Sequence, residues 1–329
     1  MNRNILTMIN ILKVKYSGAR VPMLISWIVT KRCNFRCSFC GIWKEESGEL
    51  GTREAVALIR EMASMGAAAI SFIGGEPLLR EDLSELLDAC REKGIKTRVT
   101  SNGSLVSSFP ERLSHVDILK LSLDGPEEVH DALRERGSFR NVVDTAVWAK
   151  GKGIKTIFNC IITNRLEDNL AELLKIAGDL KVPITFQPLE FRSSDTHENV
   201  ASLMPAPGEM NSVLKKIIEA KRTHPRLIGN SSTSLEFMES WPALRPMRCY
   251  AGSLFCKILP DGEVVACDSL DRPKEGGAHP GSFGSAFESL SPIGSCEGCW
   301  RNNTIDINLS LSFNISAIVD IATNYLLKR

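Results

Sequence analysis

Cys33-Asn-Phe-Arg-Cys37-Ser-Phe-Cys40 is a C-x3-C-x2-C cluster that directly follows a short apolar run. Three thiolates on one tight loop can hold three irons of a 4Fe–4S cube and leave the fourth iron to an N/O ligand. Zinc is the competing occupant, but structural zinc takes four ligands, usually as paired C-x2-C units, and no histidine lies nearby. A second group, Cys249, Cys256, Cys267, Cys296 and Cys299, falls in the last quarter of the chain. A four-cysteine zinc site is its alternative reading. Of the ten cysteines only Cys90, in a helical stretch, and Cys160, in an apolar run, stand outside the two groups. Both are expected in the core.

Composition narrows what these cysteines can be doing. The 329 residues are 43% hydrophobic and 24% charged, a globular balance that excludes disordered and collagen-like classes. A net charge of +1 lacks the basic excess of a nucleic-acid-binding domain, so no nucleic acid is expected. No apolar run reaches the ~18 residues of a membrane span. The N-terminus has neither an unbroken apolar segment nor a small-residue cleavage site, so a cytoplasmic, reducing location is expected. There, close cysteine spacings signal metal or redox chemistry rather than disulfides. The first 15 residues are basic and amphipathic; they permit peripheral membrane contact, with core packing the simpler expectation.

The elements that must position the first cluster alternate between strand and helix. Apolar, β-branched runs predict strands at Met23–Val29, Ala68–Ile73, Lys96–Thr100, Ile118–Leu123, Thr156–Ile162 and Ile184–Leu189. Helical periodicity predicts helices at Thr52–Met65, Asp82–Lys93, Asn141–Lys150 and Glu167–Leu180. Such alternation implies an α/β fold with a parallel sheet. Lys-Gly-Ile-Lys-Thr occurs at 93–97 and again at 152–156, each copy ending a helix and beginning a strand. Gly94 and Gly153 are expected as left-handed helix stops, and the repetition suits a part-barrel. Prolines then break the rhythm, and Met210–Lys221 is expected as a lone helix in a linker. Further on, Lys257–Leu259 and Glu263–Ala266 flank Pro260-Asp261-Gly262 as a hairpin. Ile305, Ile307, Leu309, Leu311, Phe313 and Ile315 alternate strictly with polar residues, which predicts an edge strand, followed by a helix over 316–327.

The front cluster, with Phe39 before its third cysteine, resembles the signature of the radical S-adenosylmethionine (SAM) superfamily. Gly74-Gly75-Glu76-Pro77 at the end of the second predicted strand resembles that family's GGE motif. The likeness covers residues 22–190. It implies a partial (β/α)6 TIM-like barrel whose Cys33, Cys37 and Cys40 hold a 4Fe–4S cluster, with SAM chelating the open iron. Gly74 and Gly75 would let the backbone approach the SAM methionine, and Glu76 would accept from its ammonium. Family positions that contact the carboxylate and ribose fall on Ser101, Asn102, Ser122 and Asp124. Arg134 and Arg140 are further candidates for the carboxylate, a solvated helix face being the other explanation. The span from Cys249 to Cys299, including Ile258-x-Pro260-Asp261-Gly262, resembles the SPASM and Twitch modules. With five cysteines it is closer to the one-cluster Twitch form, which implies a small C-terminal cysteine-rich β-hairpin module. Cys249, Cys267, Cys296 and Cys299 would ligate an auxiliary 4Fe–4S cluster. Cys256, expected roughly opposite Cys267 across the hairpin, is an alternative ligand or a buried thiol.

The implied organisation is an N-terminal extension (1–21), a radical SAM core (22–195), a linker with a helix (196–246), an auxiliary iron–sulfur module (247–302) and a strand/helix tail (303–329). The implied activity is reductive cleavage of SAM to a 5′-deoxyadenosyl radical that abstracts hydrogen from a substrate C–H bond, an oxidation in which the distal cluster accepts an electron. The implied partner is a reductant such as flavodoxin or ferredoxin. The substrate is a small molecule, lipid or peptide; the short N-terminal extension tilts the expectation toward a small molecule or lipid. Gln187, Glu190 and Arg192, at the end of the sixth predicted strand, are candidate substrate contacts. A ribosomal-peptide maturase and an enzyme-activating protein are alternative roles, and a zinc or iron–sulfur scaffold is the alternative outside enzymes.

Overall fold

The computed structural model describes residues 3–189, 200–240, 243, 245–267, 282–291, 293–296, 299 and 301–312. An N-terminal helix α1 (Arg3–Tyr16) precedes β1 (Leu24–Thr30), α2 (Thr52–Ser64), β2 (Ala69–Gly74), α3 (Leu83–Glu92) and β3 (Lys96–Ser101). Next come β4 (Ile118–Ser122), α4 (Glu127–Leu133), α5 (Ser138–Gly151), β5 (Lys155–Ile162), α6 (Leu166–Leu180) and β6 (Ile184–Pro188). Three helices follow, α7 (Val200–Leu203), α8 (Pro207–Thr223) and α9 (Ser232–Met238), then the short strands β7 (Met247–Cys249), β8 (Phe255–Ile258) and β9 (Val264–Val265). The described chain closes with α10 (Phe283–Ser289), β10 (Gly294–Cys296) and α11 (Asn302–Leu311). All six predicted barrel strands are present within a residue of the expected bounds. Gly94 and Gly153 stop their helices at φ 66° and 70°, as the repeated pentapeptide implied. No helix among the described residues is long and apolar enough to cross a membrane.

The chain divides into two compact units. The first comprises residues 1–34, 41–119 and 250–294. Its strands run in the order β9-β8-β1-β2-β3. β1 and β2 are parallel from Leu24 opposite Ala69 to Thr30 opposite Gly74, with an irregularity between Ile28 and Thr30. β2 and β3 are parallel as well. Helix α2 buries Ala55, Leu58, Ile59 and Met62, one face at helical spacing. Trp27 and Phe72, both fully buried, stack on adjacent strands with ring centroids 6.0 Å apart. The predicted hairpin is present as β8 and β9, antiparallel with Ile258 opposite Val264. It extends this sheet, because β8 runs parallel to β1 with Cys256 opposite Ile25. Arg20 ties the entrance of β1 to that segment by donating from Nε to the Gly252 carbonyl at 2.9 Å.

The second unit comprises residues 35–40, 120–249 and 295–329. β5 and β6 are parallel, Phe158 opposite Ile184, and β4 lies on the other side of β5. The segment expected as a linker carries α7, α8 and α9; α8 is fixed to α6 where Ser212 and Lys216 both reach Glu167. The tail departs from expectation: residues 302–311 form helix α11, not an edge strand. Its buried residues are Asn302, Ile305, Asp306, Asn308 and Leu311, a helical spacing that mixes polar with apolar side chains. Two of the polar ones are satisfied at α9: Ser231 Oγ donates to Asp306 and Ser234 Oγ to Asn302. Burial of hydrogen-bonded polar groups overrides the alternation that an apolar-only reading follows. The helix expected over 316–327 lies outside the described residues.

Candidate active site

In the first unit, the end of β2 is stitched to the root of the cysteine loop. Gly75 N–H donates to the Thr30 carbonyl and Glu76 N–H to the Arg32 carbonyl, each at 2.9 Å. A Cβ on Gly74 would stand 2.2 Å from the Thr30 oxygen, and one on Gly75 2.2 Å from the Arg32 oxygen. Gly74 also takes φ 146°. The glycines therefore serve first to let two backbones of this chain meet, ahead of any approach by a bound methionine. Glu76 is fully buried. Its Oε1 accepts from Leu78 N–H at 3.1 Å and its Oε2 from Asn102 N–H at 2.8 Å, which joins the ends of β2 and β3. Asn102 Nδ2 in turn donates to Asn34 Oδ1 at 3.0 Å, and Asn34 Nδ2 to Ser104 Oγ at 2.8 Å. Ser101 Oγ accepts from Gly103 N–H. Asn34, directly after Cys33, was not singled out from the sequence; a short amide between two cysteines was the available signal. On the other side of the loop root, Glu49 takes two hydrogen bonds from Arg32 and one from the Thr30 hydroxyl. Burial raises the Glu49 carboxyl, but these donors outweigh it and hold the group below its ordinary range. An open cavity of about 570 Å³ adjoins this edge, lined in part by Lys31, Arg32, Trp43 and Glu49; none of the predicted cofactor contacts lines it.

In the second unit, the loop bearing Cys37 and Cys40 is seated on the residues that end α4. Ser38 gives both its N–H and its hydroxyl to the Leu133 carbonyl, at 2.9 and 3.0 Å. Arg36 N–H donates to Glu135. Arg134, between those anchors, donates from Nε to Asp124 Oδ2 at 2.5 Å and points Nη1 at Cys37 Sγ, 3.8 Å away. Its guanidinium carbon lies 5.4 Å from the Phe39 ring centroid, within cation–π reach. Phe39 itself packs against Leu133, Leu189, Val200 and Leu203. Burial works against the Arg134 charge, yet the Asp124 carboxylate and the Cys37 and Cys40 sulfurs outweigh it and push the pKa up. The group is a fixed cation. Arg140, by contrast, is exposed and pairs with Asp144 one turn along α5.

Asp124 is fully buried, and its second oxygen accepts from Ile161 N–H at 2.9 Å. Its own N–H donates to His130 Nδ1 at 3.1 Å, which fixes the imidazole as the Nε2–H tautomer. Burial holds the His130 pKa down at about 4, and Nε2 is buried with no hydrogen-bond partner. Ser122, at the end of β4, is buried. His130 was missed by sequence reasoning because a lone histidine in a short helix carries no visible signal. Cys160 is buried and burial pushes its thiol well up. Cys90 is likewise buried, its thiol raised to about 12 by burial and by Asp117. Gln187 is half-buried in β6; Glu190 and Arg192 lie outside the described residues.

The second cysteine group is divided. Cys249 ends β7 and Cys296 ends β10, and those strands pair as a two-stranded sheet. Cys299 follows in the same unit, and Cys267 follows β9 in the first unit; both are half-buried. Cys256 is buried in β8 and burial pushes its thiol up. Among the described residues no three His, Cys, Asp or Glu side chains already stand as a metal-holding group.

The cysteine loop thus places Cys33 in the first unit, whose turn at Gly74–Gly75 is Cβ-free, and Cys37 and Cys40 in the second, where a guanidinium is aimed at the Cys37 sulfur. The donor set fits a 4Fe–4S cube: sulfur only, three to a loop, with a hydrogen-bond donor directed at sulfur. Residues 27–179 match the Radical SAM superfamily and are a radical SAM domain, the family that uses a 4Fe–4S cluster and SAM. Fe-coproporphyrin III synthase of Methanosarcina barkeri is 30% identical over 177 residues, 52% of this chain and 44% of that one. PqqA peptide cyclase of Bradyrhizobium diazoefficiens is 25% identical over 299 residues, 86% of this chain and 74% of that one. The chain thus spans less than half of the first relative and about three quarters of the second. Streptococcus suis SuiB, solved bound to S-adenosylmethionine and separately to precursor peptide SuiA, shares the fold at TM-score 0.64 and 18% identity. With SAM bound, the match covers 81% of this chain and 66% of that one. The barrel expected from the sequence is the fold of this neighbour.

Proposed function

We propose that the chain is a radical SAM enzyme that oxidises its substrate by hydrogen-atom abstraction from a C–H bond. The observation that carries this reading is the junction of the cysteine loop with Gly74-Gly75-Glu76: two backbone hydrogen bonds and two positions where a Cβ would meet carbonyl oxygen at 2.2 Å. A plain strand-ending turn needs no such fit to a loop of thiols. When bound, the cluster held by Cys33, Cys37 and Cys40 supplies an electron to SAM and so the 5′-deoxyadenosyl radical that attacks substrate.

The chain's own residues do the rest. The Leu133 carbonyl and Glu135 hold the loop, and Arg134 keeps a positive charge against Cys37. Because both Glu76 oxygens already serve backbone N–H groups, the carbonyls of the Gly74–Gly75 turn are the better acceptors for the SAM ammonium. Ser101, Asn102 and Ser122 stand at strand ends where the nucleoside and carboxylate would lie, with Asp124 acting through Arg134. Cys249, Cys267, Cys296 and Cys299 are assigned to an auxiliary cluster that takes the substrate electron. A flavodoxin or ferredoxin supplies the first electron.

For the substrate, a ribosomal peptide is favoured by the relative matched over most of this chain, a peptide cyclase, and by the fold neighbour solved with a precursor peptide. A small molecule is the second reading, favoured by the coproporphyrin synthase match. The test is anaerobic reconstitution with iron and sulfide, followed by reductant and SAM. Formation of 5′-deoxyadenosine is expected, and deuterium carried into it from a labelled peptide or labelled small molecule decides between the substrates. Two zinc ions per chain with no SAM cleavage would establish the scaffold alternative instead.

A further inference from the structure

Among the described residues, the large apolar side chains left exposed are Leu6 (39%), Met8 (64%), Leu12 (48%) and Tyr16 (66%) on α1, and Val147 (57%) elsewhere. Met8, Leu12 and Tyr16 recur every fourth residue and stack into one stripe along the helix. The opposite side is the one that packs: Asn10 and Val14 are buried, and Asn10 lies close to Gly66. A surface helix ordinarily turns its charges to water and its apolar face to the core. On α1 the outward sector is apolar, and Lys13 and Lys15 in its last turn fall on either side of the stripe. No acidic residue occurs before Glu45, while Arg3, Lys13, Lys15 and Arg20 all precede β1.

An apolar stripe between basic shoulders is the pattern of a helix that lies in a bilayer interface, its lysine stems along the acyl boundary and their ammonium groups at headgroup phosphates. We propose that α1 is a membrane-docking helix that seats this protein on an anionic lipid surface. The charge selects the occupant. A second copy of α1 would set basic against basic, whereas an anionic bilayer offers the opposite sign and an apolar layer together. The docking is peripheral, since no described helix is long enough to span. It is independent of the catalytic reading, because it needs neither cluster nor SAM.

The test is sedimentation of the full-length chain with phosphatidylglycerol–phosphatidylcholine vesicles and with phosphatidylcholine vesicles alone. Binding roughly tenfold or more tighter to the anionic vesicles is expected, falling steeply in about 1 M salt, where the screening length is ~3 Å. Met8→Glu with Leu12→Glu should abolish it, and Lys13→Glu with Lys15→Glu should weaken it by roughly tenfold or more. These side chains are exposed, so the circular-dichroism melting curve should not move; Met8→Ser with Leu12→Ser serves as the milder variant. Equal recovery on both vesicle types, no recovery on either, or wild-type recovery of the correctly folded variants overturns the proposal. A concentration-dependent dimer that the apolar variants dissociate would assign the stripe to self-association and overturn it too.

Discussion

The two cysteine groups are held in different ways. Around Cys33–Cys40 the loop is gripped on both flanks by hydrogen bonds from elsewhere in the chain: Gly75 and Glu76 on Thr30 and Arg32, and Ser38 and Arg36 on Leu133 and Glu135. Around Cys249–Cys299 the described cysteines are spread over several elements. Cys249 and Cys296 share a two-stranded sheet, Cys267 belongs to the other compact unit, and Cys256 is a core residue of β8. The fold thus gives the front loop's backbone walls on each flank, while Cys33 belongs to the first unit and Cys37 and Cys40 to the second, and among the described residues no three Cys, His, Asp or Glu side chains stand as a metal-holding group there. A metal at the rear group would supply structure as well as chemistry. Two cysteine groups of quite different spacing can thus differ as well in how the chain distributes the elements that carry them.

The sharpest way to break this contrast is at the thiols themselves. Cys37→Ala should reduce 5′-deoxyadenosine formation to background and remove about four irons per chain, with the apo-protein's thermal midpoint little changed. Cys267→Ala should also remove iron, yet leave SAM cleavage in place and abolish the modified product. Iron and sulfide analysis with product assay checks both. If Cys267→Ala keeps the full iron content of the reconstituted protein, Cys267 is not a required ligand of an auxiliary cluster.

Next in size is Arg134. Replacing it with Met leaves Asp124 buried without its cation and should cost about 3–5 kcal/mol in urea unfolding of the apo-protein. Arg134→Lys keeps the charge, loses the planar fork and should recover part of the loss. In the reconstituted protein, Arg134→Lys should also shift the EPR-monitored cluster potential relative to wild type, because the donor aimed at Cys37 Sγ changes. An unmoved potential would leave Arg134 a purely structural residue.

A smaller effect is expected at the glycine turn. Gly75→Ala drives a methyl against the Arg32 and Lys31 carbonyls and should cost about 1–3 kcal/mol. Gly208→Ala, in helix α8 with open space around it, should be neutral or slightly stabilising and is the control. Equal stability of the two variants would show that the loop root yields, contrary to the walled site described above.

The barrel half of this picture was legible in the sequence. Strands at 24–30 through 184–188 are short runs rich in apolar and β-branched residues, and Gly94 and Gly153 mark helix ends that a left-handed residue closes cheaply. The three front cysteines and Gly74-Gly75-Glu76 were legible because their types admit few other uses. What was hidden depends on burial. Arg134 and Arg140 read alike in sequence, yet one is enclosed with Asp124 and the other faces water. Glu76 has the type of a ligand contact, and what the sequence did not display is that each of its oxygens also accepts a backbone N–H, from Leu78 and Asn102. In the tail, Asn302 and Asp306 go inward with hydrogen bonds from Ser234 and Ser231, so a pattern of apolar letters alone gave the wrong period.

The smallest effect separates the two regions by acid. His130 is buried neutral, with its pKa near 4 against an ordinary 6.5. The unfolded chain therefore binds a proton at higher pH than the native one, and stability must rise with pH between those values. Its contribution is complete above about pH 6.5 and is lost as the pH falls toward about 4. Between about pH 7 and about pH 5 the loss should be roughly 2 kcal/mol in the apo-protein. In His130→Gln the side-chain carbonyl can still accept from Asp124 N–H, but nothing titrates, so urea unfolding at the two pH values should differ less by about that amount. The change should register at the front, where His130 holds Asp124 and Asp124 holds Arg134 against Cys37, and alkylation of Cys37 should accelerate on acidification relative to its intrinsic rate before that of Cys256 does. Parallel pH slopes for wild type and His130→Gln would mean that the buried imidazole is not what couples the front loop to acid.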